Sequence, residues 1–341
     1  MRRVSLVMVQ FGMLFTALVL NVGLGAVDIP PGAMLRMLGE RWFGLLAGGD
    51  VPSYMPTIFF DLRLPHAVLM ALTGMSLSIS GAAYQGLFRN PLAGPYLLGV
   101  ASGAGLGAVV ALSLSWPTHW LGMYAVPAAA FVGASVTVAG VYALARVDGY
   151  LPPQTLILAG VAVSALASSL TSFLMLRSDG EIRRALTYLM GGAPLAGWEP
   201  VVAMLPYALL GTVLLLAAGH ALNVLQFGEE QAHQLGLPVE PAKRGILLAA
   251  SLTTAAAVAF AGIIGFVGLM VPHAVRRLFG EDYRRLLPLS ALNGATALLL
   301  FDLVARMALR PQSLPIGVVT AMAGAPFFLW ILHRTKARGL P

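Results

Sequence analysis

Residues 61–107 read DLRLPHAVLMALTGMSLSISGAAYQGLFRNPLAGPYLLGVASGAGLG, and the fold is decided there. A charged start at Asp61 and Arg63 gives way to about 20 apolar or small residues, the length that crosses the hydrocarbon core of a bilayer. The run breaks at Asn90-Pro91, and a second apolar segment punctuated by glycines follows. Asn90-Pro91-Leu92-Ala93-Gly94-Pro95 cannot continue the helix: Pro91 and Pro95 lack backbone donors and push the residues before them toward extended conformations. Non-helical backbone at membrane depth is tolerated where protein or water satisfies it. The bend therefore reads either as a tight turn beside a pathway or as an ordinary interhelical loop.

Composition points the same way. Of 341 residues, 58% are hydrophobic and 10% charged, with a mean hydropathy of +0.82, which excludes a soluble domain or a disordered chain. There is no cysteine, hence no disulfide and no thiolate metal site. The formal charge of +7 sits mostly beside apolar spans, so it reads as membrane orientation rather than nucleic-acid binding. The opening MRRVSLVMVQFGMLFTALVLNVGLGAVDIP has the outline of a signal peptide, but its apolar run is long and its cleavage pattern weak. It reads as the first span.

Ten spans are expected, near 4–27, 64–86, 94–114, 121–145, 153–176, 200–222, 244–262, 263–279, 287–309 and 314–333. The eighth has almost no room for a turn before it, which suggests a re-entrant or strongly tilted element. MLRMLGERWFGLL, from Met34, has the pattern of an amphipathic surface helix, and another short helix is expected in 181–192. With the N-terminus inside, the basic cytoplasmic residues are Arg2, Arg3, Arg89, Arg146, Lys243, Arg244, Arg276, Arg277, Arg284, Arg285, Arg334, Lys336 and Arg338. The external ones are Arg36, Arg41, Arg63, Arg177, Arg183, Arg184, Arg306 and Arg310, a thirteen-to-eight bias of the expected sign.

One all-α transmembrane domain, 1–341, carries signs of an inverted repeat with halves near 61–176 and 242–333. Arg63, Gly81 and Pro91 are matched at identical spacing by Arg244, Gly262 and Pro272, with five spans between the copies. Inverted repeats of this kind build many transport proteins. Small residues in SISGAA, GVASGAGLGA and AGVAVSALASS let helices approach closely, a pattern that plain packing also explains.

Charge inside the spans is nearly absent. Asp302 is the one carboxylate placed there, and Arg306, one turn on, is its expected partner; an unpaired charge at that depth costs roughly 2.5–3.5 kcal/mol. His220 and His273 fall near inner span ends, where solvation or hydrogen bonding is the expected role. An ion-coupled secondary transporter, the alternative from a different class, would want further acids or histidines at depth. A membrane transferase would want paired acids such as DxxxD, which the sequence lacks. There is no phosphate-cradling GxxxxGK[ST], so energy from ATP would have to come from another subunit. Cytoplasmic segments 226–243, containing GEEQAHQLGLPVEPAK, and 272–288, PHAVRRLFGEDYRRLLP, are candidate contacts for one, or simply solvated loops.

The quoted 61–107 stretch, GEEQAHQLGL (from Gly228), AGIIGFVGLMVPHAVRRLFGEDYRRLLPLSALNGATALLLFDLVAR (from Ala261) and LPIGVVTAMAGAPFFLWIL (from Leu314) together resemble one family. It is the permease family of ABC importers for vitamin B12, haem and ferric siderophores, and the resemblance runs colinearly over nearly the whole chain. It implies a type II ABC importer permease of about ten transmembrane helices in the bacterial cytoplasmic membrane. The permease would homodimerise around a pathway, bind two cytoplasmic ATPases that hold ATP and Mg, and receive substrate from an extracytoplasmic binding protein. The subunit itself would carry no cofactor or metal and contact no nucleic acid, only membrane lipid. An iron complex, ferric siderophore or haem, is the expected cargo, with cobalamin the alternative.

Residue by residue, the resemblance assigns Arg63, His66 and Arg306 to binding-protein docking. His66 departs from the family's common RLPR. Gln85, Asn90, Pro91 and Leu92 fall at the inner gate and pathway, with Pro152 and Pro153 at the companion gate, where small polar residues are usual. Glu229, Glu230, Ala232, Leu235, Gly236 and Leu237, together with Arg276 and Arg277, fall to ATPase coupling.

Overall fold

The computed structural model describes residues 2–44, 51–113, 124–177, 182–192, 195–310 and 312–337. Backbone amides in lipid have no water to bond, so a chain this apolar closes its hydrogen bonds within helices. In order these are α1 (Arg2–Gly23), α2 (Pro31–Phe43), α3 (Met55–Leu87), α4 (Val100–Ser113), α5 (Ala125–Ala145), α6 (Pro153–Arg177) and α7 (Ile182–Leu189). Then come α8 (Glu199–Ala217), α9 (Gly219–Leu225), α10 (Glu229–Gln234), α11 (Val239–Ala261), α12 (Val267–Phe279), α13 (Tyr283–Met307) and α14 (Ile316–Ala337).

Among the described residues six helices, α3, α5, α6, α8, α11 and α13, are long and apolar enough to cross a membrane. Shorter apolar helices run over Val7–Gly23, Val100–Ser113 and Ile316–Ile331. Several expected boundaries move. The first span ends at Gly23, the third begins only at Val100, and the sixth breaks at Ala218 between α8 and α9. The expected start of the fourth, at 121, lies outside the described residues. Both short helices form. On α2, Met34 and Met37 are buried while Leu35, Trp42 and Phe43 are exposed; the last two residues of its expected segment lie outside the described set.

The eighth span is shorter than expected: α12 has 13 residues, where roughly 17–25 are needed to cross. Gly262 to Phe266 is unwound, with φ of +75° and +66° at its two ends. Its polar backbone is satisfied by protein rather than by helix. Ile264 N donates to the Tyr96 hydroxyl at 3.1 Å, that hydroxyl donates to Ile264 O at 2.7 Å, and Ile263 N donates to Tyr188 O of α7 at 3.3 Å. Irregular backbone survives at membrane depth when enclosed in this way.

Helix α3 is the centre of the bundle, packed on α13, α11, α12 and α8. Its glycines set the approach. A Cβ on Gly74 would stand 2.2 Å from Gly294 O of α13, and one on Gly81 would overlap Gly268 O of α12. Such backbone contact is how helices gain packing energy without a hydrophobic drive. The same device joins α4 to α5, where Gly103 faces Gly133 and Gly107 faces Ala129.

Helices α3 and α11 run antiparallel, because Tyr84 Oη meets Ser251 Oγ at 2.8 Å whereas Ser80 Oγ, one turn earlier, meets Thr254 Oγ1 at 3.0 Å. The two most enclosed spans thus have the opposed sense that an inverted repeat needs. The three-point spacing does not hold structurally. Gly81 is inside α3 but Gly262 ends α11, and Pro91 is in a turn but Pro272 is inside α12.

Candidate functional site

Polar clusters lie at both ends of α3, and the Lys and Arg bias puts the first outside. There α1 ends, and its last carbonyls need donors. Arg63, in a π-helical turn of α3, donates Nη1 to Val22 O at 2.9 Å and Gly23 O at 3.2 Å, and Nη2 to Val27 O. Arg306 donates Nη2 to Asn21 O at 2.8 Å and Nη1 to Leu24 O at 3.2 Å. Asp302 is buried between them. Its Oδ2 accepts from Arg306 Nε and Asn21 Nδ2, both at 2.9 Å, and its Oδ1 meets His66 Nε2 at 2.9 Å.

The expected Asp302–Arg306 pair therefore exists, within a larger network tying α1, α3 and α13 together. Arg63, His66 and Arg306, the residues assigned to docking, lie at this one end and are all bonded inward, with His66 only 25% and Arg306 21% exposed. Asn21 was missed. Its signal was a lone amide at the exit of an apolar helix. On the surface nearby, Arg310 pairs with Asp28 at 3.3 Å.

At the other end, Asn90 Oδ1 accepts from Leu92 N at 2.9 Å, an Asx turn that starts the bend after α3. Asn90, Pro91 and Leu92 are exposed. Gln85 is not: it is 1% exposed and donates Nε2 to Leu269 O at 3.1 Å, tying α3 to α12. Pro152 and Pro153 flank a cleft of about 590 Å³, lined also by Phe88, Arg89, Glu229 and Lys243.

Helix α10 forms where expected. Glu229 and Glu230 occupy its first turn, where carboxylates favour the helix dipole. Glu230, Leu235 and Gly236 are exposed, Leu237 is half-buried, and Phe227 adds an exposed aromatic ring. Ala232, assigned to ATPase coupling, is fully buried and packs α10 onto the bundle.

Segment 272–288 is not a loop. Its first part ends α12, its last begins α13, and only Gly280 to Asp282 connects them. Arg276 donates to the Tyr283 hydroxyl at 2.8 Å, and the Arg277 guanidinium lies 5.6 Å from the Trp330 ring centre. Both therefore have partners within the chain. Asp282 caps α13, accepting from Arg284 N at 3.0 Å and from Asn223 Nδ2 at 2.7 Å. The Asn223 bond first, then the Arg284 amide, holds its carboxyl below the usual carboxylate range.

A helical bundle with six apolar helices long enough to cross a bilayer and an unwound segment enclosed within it has the architecture of a multi-pass membrane protein. The chain belongs to the FecCD transport family, matched over residues 13–334, whose members are permeases of ABC importers in the cytoplasmic membrane. It is 49% identical over 290 residues to the cobalamin import system permease protein BtuC of Halobacterium salinarum, covering 85% of this chain and 77% of that one. It is 39% identical over 282 residues to the hemin transport system permease protein HmuU of Yersinia pestis, covering 82% and 84%. A solved inward-facing ABC transporter of metal-chelate type superposes with a TM-score of 0.80 at 31% identity, covering 96% of this chain and 99% of that one.

Proposed function

We propose that the chain is the membrane subunit of an ATP-driven importer for a bulky metal chelate. Two copies would enclose the pathway, two separate ATPases holding ATP and Mg would seat on α10 and its neighbours, and a binding protein would deliver cargo at the Arg63–Arg306 end. One observation carries this reading above the others: the end of α3 at Phe88 and Arg89, just before the Asn90 turn, lines one cleft with Pro152–Pro153 and Glu229 at the start of α10, which supports gate and coupling elements acting as a unit. The only buried carboxylate among the described residues, Asp302, is saturated by donors, which argues against ion coupling through it.

An iron complex, ferric siderophore or haem, is the first cargo reading, supported by the haemin relative and the metal-chelate structure. Cobalamin is the second, supported by the relative at 49% identity. The decisive experiment reconstitutes the permease with its ATPase and binding protein in liposomes and offers haem, a ferric siderophore and cobalamin in turn. Uptake of one, dependent on hydrolysed ATP, is expected. Uptake by the permease alone on a proton or sodium gradient would overturn the reading.

A further inference from the structure

Lys243 lies one turn into α11 and is only 3% exposed, although an ammonium is costly to bury unless its donors are paired. Nζ donates to Leu151 O at 2.7 Å and to Glu240 Oε1 at 3.0 Å, and it pairs with the Glu229 carboxylate, Oε1 at 2.9 Å. The three partners belong to three separate pieces of the chain. Glu240 is on α11 itself, Leu151 immediately precedes the gate pair Pro152–Pro153, and Glu229 opens α10.

The next residue strengthens the hold, since Arg244 Nη2 donates to Gly149 O at 2.9 Å. Segment 149–151 is therefore strapped to α11 by two consecutive cations. Neutralising Lys243 needs only Glu240, which sits on the same helix and reaches it at i,i+3. The Glu229 contact is thus surplus to local charge balance, and it crosses to another element. With its Glu229 side chain 42% exposed, that contact is open to water and readily broken and remade. Beside it lies the cleft of about 590 Å³ bounded by Phe88, Arg89 and the gate prolines, so the strapped segment has room to shift.

We propose that Lys243 is the joint between ATPase and gate: through it, displacement of Glu229 on α10 is transmitted to Leu151 and so to Pro152–Pro153. This rests on the importer reading above. At 3% exposed, Lys243 offers almost no surface to either ATPase or cargo. It is a positioning residue acting through its two neighbours.

The test uses the complete complex of permease, ATPase and binding protein in liposomes. Spin labels at Gln234→Cys on α10 and Gln154→Cys beside the gate report distances between the two permease copies; both positions are exposed, and the chain has no native cysteine. In the parent complex, Mg-ATP should shift both distances. With Lys243→Gln, or Glu229→Gln should the first fold poorly, the α10 shift should persist while the gate shift is lost. Cargo moved per ATP should then fall several-fold. Lys243→Arg should restore much of that ratio.

A role confined to stability would lower melting temperature and all activities together, leaving transport per ATP unchanged, and that result overturns the proposal. So does a full gate shift in both variants. If Mg-ATP moves neither label in the parent complex, the importer reading itself fails and takes this inference with it.

Discussion

His66 Nε2 lies 2.9 Å from Asp302 Oδ1, joining the start of α3 to the end of α13 at the outer face. The other carboxylate oxygen holds Arg306 and Asn21, so one acid ties three helices, α1, α3 and α13, together. Where the resembled family commonly carries arginine, this histidine has turned inward to the acid. Asp302→Ala would leave an arginine, an amide and an imidazole without their acceptor. Removing one partner of a buried ion pair costs about 3–5 kcal/mol, so the variant should melt well below the parent in detergent. Asp302→Asn, which keeps an acceptor oxygen, should lose less. Equal melting of parent and Asp302→Ala would show that the network does not bind α1 to α13.

A second prediction concerns the α3–α13 contact. A Cβ on Gly294 would lie 2.3 Å from Gly74 O and 2.3 Å from Ser78 Cβ, so Gly294→Ala must force the helices apart. A loss of monodisperse protein on gel filtration is expected. Gly140, inside α5, has nothing within 4 Å of the equivalent position. Gly140→Ala should be neutral or stabilise by about 0.4–1 kcal/mol through the unfolded chain. If the two variants behave alike, close approach at Gly74 is not what sets the packing.

How far the sequence reached can be seen at particular residues. The apolar run after Arg63, the Asn90-Pro91 break and the Asp302–Arg306 pair were legible because each is local: a length, a missing donor, an i,i+4 spacing. Asn21 and His66 were not, because Asp302 lies far off in sequence and only packing brings it to them; of the Lys243 partners, Glu240 at i,i+3 is local but Leu151 is brought in by packing. The unwound Gly262–Phe266 was signalled by the missing room for a turn before the eighth span, but the groups that satisfy its backbone, from Tyr96 and Tyr188, are brought in by packing. Of the expected repeat, equal spacing of three residues carried no structural register, and the antiparallel sense of α3 and α11 is one that any two spans of opposite direction share.

Acid should loosen the joint between α9 and α13. The Asp282 carboxyl sits below its ordinary value because Asn223 and the Arg284 amide bond its charged form. A lowered carboxylate contributes stability that is present above the ordinary value and lost as pH falls through the lowered one. Asn223→Ala removes the first of these bonds. Its melting deficit relative to the parent should therefore be constant near neutral pH and shrink as pH drops below about 4, the ordinary aspartate range. A deficit that stays constant into acid would show that Asn223 acts through Tyr283 N, its other partner at 2.8 Å, and not through Asp282.

Sidedness can be tested with single cysteines in this cysteine-free chain. Lys243 is unsuitable, being 3% exposed, and Arg63 is bonded to three carbonyls. Ser53 and Gln234 are exposed at opposite ends. An impermeant thiol reagent added outside intact cells should label Ser53→Cys and leave Gln234→Cys untouched until the membrane is opened. Labelling of both from one side would break the assignment of outer and inner ends.

Docking is the harder matter, because Arg63 has two jobs to separate. Its fork caps α1 through Val22, Gly23 and Val27 carbonyls, so Arg63→Glu would damage the fold as well as any surface. Arg63→Lys keeps the charge and loses the fork geometry. If Arg63 attracts an acidic binding protein by charge, Arg63→Lys should bind it as the parent does at low salt while melting lower. Arg63→Gln should bind more weakly and melt lower too. The expected loss is modest, since an exposed ion pair is worth only about 0–1 kcal/mol, although two copies would present the residue twice. Measurements at low and high salt are needed because screening erases such an effect. Equal binding by the parent, Arg63→Lys and Arg63→Gln at low salt would leave Arg63 as a cap on α1 and nothing more.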